Sequence, residues 1–195
     1  AEERETVVAI SELIEYYKGI FTTLSSCASR QLEEVTFRRA TISVPELMAT
    51  AGKYFRKVYK GNKAHIDFKI QPLEGRITGD WNQLRFLLEN LIDEACSVTL
   101  DGAVCLSARE DGEFIRFLFT DMRREKTREE LNQLFYPDLS RMTAGEKGEL
   151  YGTEYLVCKQ IIRDHDEFAG RRGCRINAEP GKEGGFTIYF TLPKK

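Results

Sequence analysis

The sequence predicts an α/β chain, more narrowly an α+β two-layer sandwich, with a long helix appended at its N-terminus. Three observations carry that prediction. Apolar residues recur at helical spacing in three separate stretches, near residues 47–58, 84–95 and 155–162. Between and after them run short segments of alternating or continuous apolar character, as strands have. Ahead of them all, Val7, Ile10, Ile14, Tyr17, Phe21, Leu24 and Ala28 step 3-4-3-4-3-4, a heptad seam.

The heptad series makes residues 3 to about 35 one helix. Leu13, Ile20 and Cys27 widen its stripe, which suits a helical bundle better than a thin two-stranded coil. Thr41 to Val44 reads as a short strand. Pro45 then fits a first helical position, where its missing N–H is no loss. Leu47, Met48, Ala51, Tyr54, Phe55 and Val58 form the stripe of that helix, and Gly61-Asn62 stops it. AHIDFKI alternates, with Ile66, Phe68 and Ile70 inward and His65 on the polar side. Arg76 to Thr78 is a brief strand.

The stretch from Trp81 to Ser97, WNQLRFLLENLIDEACS, is the best-defined helix. Leu84, Leu87, Leu88, Leu91, Ile92 and Ala95 make one buried face. Asp80 is placed to cap it, and Asn90 and Glu94 stand one turn apart at the margin of that face. Ala103 to Arg109 and Glu113 to Asp121 form two strands joined at Asp111-Gly112, a strong turn signal. Apart from Arg116, Phe114 to Phe119 is apolar throughout, as expected for a central strand largely covered on each side. Glu129 to Phe135 is a short helix. Tyr136 to Leu150 has the look of a lid loop. Tyr151 to Asp166 is the last helix. Arg175 to Ala178 and Phe186 to Leu192 close the sheet as a hairpin.

Hydrophobic residues make up 42% and charged residues 31%, a composition that forms a packed core. A net charge of −2 leaves no electrostatic footprint for nucleic acid or an acidic membrane surface. No apolar run is long enough to span a bilayer. The charged start, AEERETVV, has no signal peptide character, and the missing initiator Met suggests a fragment or processed chain. The five cysteines are odd in number and show no metal spacing, which points to buried thiols in a reducing compartment.

Four boxes, taken in order, resemble the sensor histidine kinases within the wider ATPase superfamily that includes gyrase and certain heat-shock chaperones. In GDWNQLRFLLENLIDEA, Asp80, Leu84, Leu88, Asn90, Leu91 and Ala95 match the family's Asn-bearing helix. Asp121 matches the Asp of its D-x-G-x-G box, EELNQLF its Phe-bearing helix, and GGFTIYFTLP its terminal strand. The resemblance implies a mixed sheet covered by about three helices on one face. It implies residues 1–38 as the second helix of a dimerisation hairpin and residues 39–195 as the ATPase domain.

As cofactors it implies ATP and Mg²⁺, bound by Asn90, Glu94, Asp121, Gly152 and Thr153, with Asn90 and Glu94 on the metal. It implies a homodimer through the N-terminal helix, a response-regulator-like protein partner, and a cytoplasmic place, including as the inner part of a larger membrane-anchored protein. No residue is offered as catalytic, because His65 and His165 are the only histidines and neither lies on the heptad helix.

Against this, the residues depart from the family at three boxes. Glu94 replaces the second Asn. Arg123 and Glu125 replace both glycines after Asp121. Of the three glycines in the family's G-x-G-L-G-L run, only Gly152 remains, and Glu154 brings a carboxylate where phosphates would dock. The favoured reading is therefore a signalling protein of the histidine kinase type with a degenerate ATP site, acting as a pseudokinase or docking module. In that reading Arg123 fills the adenine or ribose space and pairs with Glu94 or Glu154. The alternative is an active kinase domain that phosphorylates a His on a segment missing from this chain, with Glu94 holding Mg²⁺ directly.

Overall fold

The computed structural model describes residues 37–60, 64–136 and 153–195. Along them run β1 (Ala40–Ser43), α1 (Val44–Tyr59), β2 (Ile66–Gln71), β3 (Arg76–Gly79), α2 (Trp81–Ser97), β4 (Gly102–Asp111), β5 (Phe114–Asp121), α3 (Arg128–Gln133), α4 (Thr153–Phe168), β6 (Ile176–Pro180) and β7 (Phe186–Pro193). The heptad helix, the Gly61-Asn62 stop and the lid reading of residues 137–150 lie outside the described residues.

α1, α2 and α3 each start where a cap requires. Ser43 caps α1, its Oγ accepting from the Glu46 N–H at 3.4 Å. Asp80 caps α2, accepting from the Gln83 N–H at 3.1 Å. Thr127 and Glu130 form a reciprocal capping box on α3. The expected stripe on α2 is the buried one: Leu84, Leu87, Leu88, Leu91, Ile92 and Ala95 are all covered. Each of its larger members contributes about 1.5–3 kcal/mol of burial. The helix packs between α1 on one side and α4 on the other.

Five strands form one mixed sheet in the order β2-β4-β5-β7-β6. β2 runs parallel to β4, and the other neighbours are antiparallel. β1 and β3 make a separate antiparallel pair, and the Ile77–Lys194 bridge ties that pair to the end of β7. Under the helices lie Val104, Leu106, Ile115, Phe117, Phe119, Ile188, Phe190 and Leu192. Phe117 and Phe190 face each other in register and stack with ring centroids 5.0 Å apart.

The opposite face of the sheet departs from expectation. In β5 the residues alternate between buried and half-buried, so the strand is covered on one side and not on both. Leu118 on the open side is bordered in register by Ser107 and Tyr189. Arg116 lies over the Tyr189 ring at 4.8 Å while bonding Asp111 at 2.7 Å. Its aliphatic stem and the tyrosine ring screen apolar surface that no helix among the described residues covers.

Candidate functional site

β5 runs up the middle of the sheet and delivers Asp121 at its last position, fully buried. On one side Asp121 is paired in register with Phe186 of β7. Gly185, at φ +68°, lets the chain pass against the Asp121 carbonyl where a Cβ would collide. On the other side the Met122 N–H donates to the Ala103 carbonyl at 3.0 Å. The carboxylate is thus held beneath the C-terminal half of α2.

Two arginines occupy that carboxylate. Oδ1 accepts from the Arg123 backbone N–H at 3.0 Å and from Arg123 Nε at 2.9 Å. Oδ2 accepts from Arg123 Nη2 at 2.8 Å and from Arg124 Nε at 2.9 Å. An ionised carboxylate offers about four lone-pair positions, and these four bonds take them. Burial pushes the Asp121 carboxyl up, but the Arg123 hydrogen bonds and the Arg124 charge outweigh it and hold the group below its usual range.

The Arg123 side chain is completely enclosed. Beyond Asp121 its Nη2 donates to the Ala95 carbonyl at 2.6 Å and its Nη1 to the Leu100 carbonyl at 3.2 Å. It therefore closes the C-terminal end of α2, whose last carbonyls have no partner within the helix. Gly102 makes room for it. At φ +132° a Cβ there would come within 2.9 Å of Arg123 Cγ.

Arg124 extends the other way. Its Nη1 donates to Glu94 Oε1 at 2.9 Å, and its guanidinium lies 5.4 Å from the centre of the Phe186 ring. Burial works against the charge of Arg124, and Tyr155, Asp121 and Glu94 together more than restore it. Two carboxylates and two guanidiniums thus form one neutral, mostly enclosed network. Its bonds join α2, β5 and the turn that follows β5.

The expected pairing of Arg123 with Glu94 is corrected by this geometry, and the expected pairing with Glu154 falls on a side chain outside those described. Because Asp121 accepts from the Arg123 N–H, the turn folds the Arg123 side chain back beneath α2, and Glu94 falls to its neighbour. The role of Arg124 and the need for Gly102 were not foreseen. A signal for the first was present in the sequence, in two adjacent cations following a strand-terminal Asp and facing a helical Glu.

The remaining expected residues are placed as follows. Asn90 is half-buried on α2 and turns its Nδ2 back to the Phe86 carbonyl at 2.7 Å. Glu94 is one turn further on, spoken for by Arg124. Thr153 opens α4, and Gly152 lies outside the described residues. His65 is exposed, whereas His165 is fully buried. Among the described residues, no group of three or more His, Cys, Asp or Glu is arranged to hold a metal.

Residues 79–195 match the family described as histidine kinase-, DNA gyrase B-, and HSP90-like ATPase. The adaptive-response sensory kinase SasA of Thermosynechococcus vestitus is 26% identical over 177 residues, which is 89% of this chain and 44% of that protein. The chain thus spans less than half of that relative's length. Among solved structures, histidine kinase ThkA in complex with the response regulator TrrA matches over 98% of this chain and 51% of its own, at 17% identity and a TM-score of 0.71. The catalytic domain of ThkA alone matches over 80% of this chain and 98% of its own, at 19% identity and a TM-score of 0.59.

Proposed function

This chain belongs to the histidine kinase-, DNA gyrase B-, and HSP90-like ATPase family, and on that footing we propose that it is the pseudokinase module of a two-component signalling protein, its nucleotide pocket filled by its own side chains. One observation carries the reading: each acceptor position of Asp121 is taken by Arg123 or Arg124. In the family that carboxylate receives the adenine amino group. An amino group arriving here finds no lone pair unless one of these bonds breaks first.

The residues do not fit a magnesium nucleotide. Glu94 is neutralised by Arg124, which leaves little charge to attract a cation. Expelling Arg123 from its enclosure would strand a buried charge, at a cost of about 3–5 kcal/mol. Binding energy would have to cover that cost before any affinity remained.

Residues 1–38 then serve as a dimerisation helix and residues 39–195 as a docking domain. A response-regulator-like protein is the expected partner, by likeness to the ThkA–TrrA complex. Among the described residues no helix is long and apolar enough to cross a membrane. By likeness to the family, the expected place of work is the cytoplasm.

Thermal unfolding with an ATP analogue and Mg²⁺ tests the reading. A ligand about 100-fold above its Kd adds about 2.7 kcal/mol of stability. The expected result is no change in midpoint at millimolar nucleotide. A clear upward shift, together with hydrolysis that disappears in Glu94→Ala, would instead establish a working site with Glu94 on the metal.

A further inference from the structure

Away from the arginine network, the segment that leads into β1 is fastened to a buried carboxylate. The Arg38 N–H donates to Asp80 Oδ2 at 2.7 Å, across 42 residues of sequence. The other oxygen of the same carboxylate caps α2 through the Gln83 N–H. Asp80 is 3% exposed, so its carboxylate has little contact with bulk water. One side chain thus serves two backbones, the segment entering the domain and the first turn of α2.

The backbone of Asp80 is fixed as well. Its N–H donates to His165 Nε2 at 3.0 Å. That assigns the His165 proton to Nδ1, which donates to the Ile161 carbonyl at 2.8 Å. His165 is fully buried on α4, and Gly79 leaves the room its ring needs, since a Cβ there would lie 2.9 Å from Nε2.

The entering segment returns to the same histidine. Phe37 meets the His165 ring edge-on at 4.9 Å and the Phe168 ring at 5.8 Å. The Arg39 guanidinium lies over Gly170, just past the end of α4, where φ is +91° and a side chain would collide. Residues 37–39 therefore bridge the C-terminal end of α4 and the N-terminal end of α2, through contacts to Asp80, His165, Phe168 and Gly170.

We infer that Asp80 and His165 are positioning residues that lock the entering segment Phe37–Arg39 to the first turn of α2, so that the two become ordered and loosen as one unit. The lock lies at the opposite end of α2 from Glu94 and Ala95, which the two arginines hold. It gives a displacement of the segment a direct mechanical effect on the helix that carries Asn90 and Glu94. The inference does not depend on whether nucleotide binds.

Hydrogen exchange on the full chain tests it. Asp80→Ser keeps a good cap for the Gln83 N–H but cannot also reach Arg38. If Asp80 were only a cap, exchange at Leu84–Leu88 would stay at the wild-type rate. The lock predicts that exchange rises about ten- to hundredfold in Arg38–Ser43 and in Leu84–Leu88 together. Phe37→Ala leaves every residue of α2 intact and should raise the same two segments, while Phe37→Leu restores much of the protection.

Residues 91–97, held by the arginines, should keep their protection in all three variants. A rise confined to Arg38–Ser43 in Phe37→Ala would overturn the inference. So would unchanged exchange at Leu84–Leu88 in Asp80→Ser, or a uniform rise in every helix.

Discussion

At the scale of the residue, a guanidinium with no exposed surface is costly to bury and is kept charged only by what surrounds it. Arg123 meets that cost with two bonds to Asp121 and two to backbone carbonyls, using four of its five N–H groups or their shared equivalents. Truncating the acceptor should therefore cost more than the bonds themselves are worth. Asp121→Ala is expected to lose about 3–5 kcal/mol in urea unfolding, because it leaves a buried cation unpaired. The pH dependence follows from the lowered Asp121 carboxyl. A depressed carboxyl contributes stability that is fully present above its unfolded pKa, about 3.9, and is lost as the pH falls through the lower folded value. Wild-type urea midpoints should fall across that acidic window. Asp121→Asn should start lower and should lack the part of the slope that Asp121 provides.

At the scale of the element, Gly102 shows what periodicity does not reveal. It begins β4 at φ +132°, with the stem of Arg123 where its Cβ would be. Gly102→Ala is expected to cost about 1–3 kcal/mol from backbone strain, plus the collision. In an Arg123→Ala background the collision disappears and only the strain remains, so a double-mutant cycle in urea should show the two sites coupled. By contrast, α2 was legible almost residue for residue, since its six buried positions are a direct consequence of 3.6 residues per turn and a single covered face. Strand limits were less so. β1 ends at Ser43 because its ladder to β3 spans Ala40↔Gly79 through Ser43↔Arg76, and long-range pairing of that kind leaves no local mark. The open side of β5 escaped notice for a related reason: Phe114 and Leu118 are apolar whether a helix or a neighbouring arginine and tyrosine screen them.

At the scale of the whole molecule, the family's elements are in place while its boxes have changed chemistry together. Asn90, Glu94 and Asp121 could be assigned to a helix margin and a facing strand end from pattern alone. Which arginine meets which carboxylate could not, because it depends on the turn in which Asp121 accepts from the Arg123 N–H. The four-charge network links α2 to the end of β5, and on the proposed reading it braces the fold where a bound nucleotide would otherwise do so. If so, reversing it should exchange one source of stability for another. The variant combining Glu94→Asn, Arg123→Gly, Arg124→Ala and Glu125→Gly removes both guanidiniums and restores bare backbone after Asp121. Without ligand it should unfold several kcal/mol more easily than wild type, since the Ala95 carbonyl at the end of α2 and the Leu100 carbonyl in the loop after it lose their donor. With ATP analogue and Mg²⁺ its midpoint should rise in a concentration-dependent way, which the parent chain should not show. A folded variant indifferent to nucleotide would mean that the two arginines are not what keeps the pocket shut.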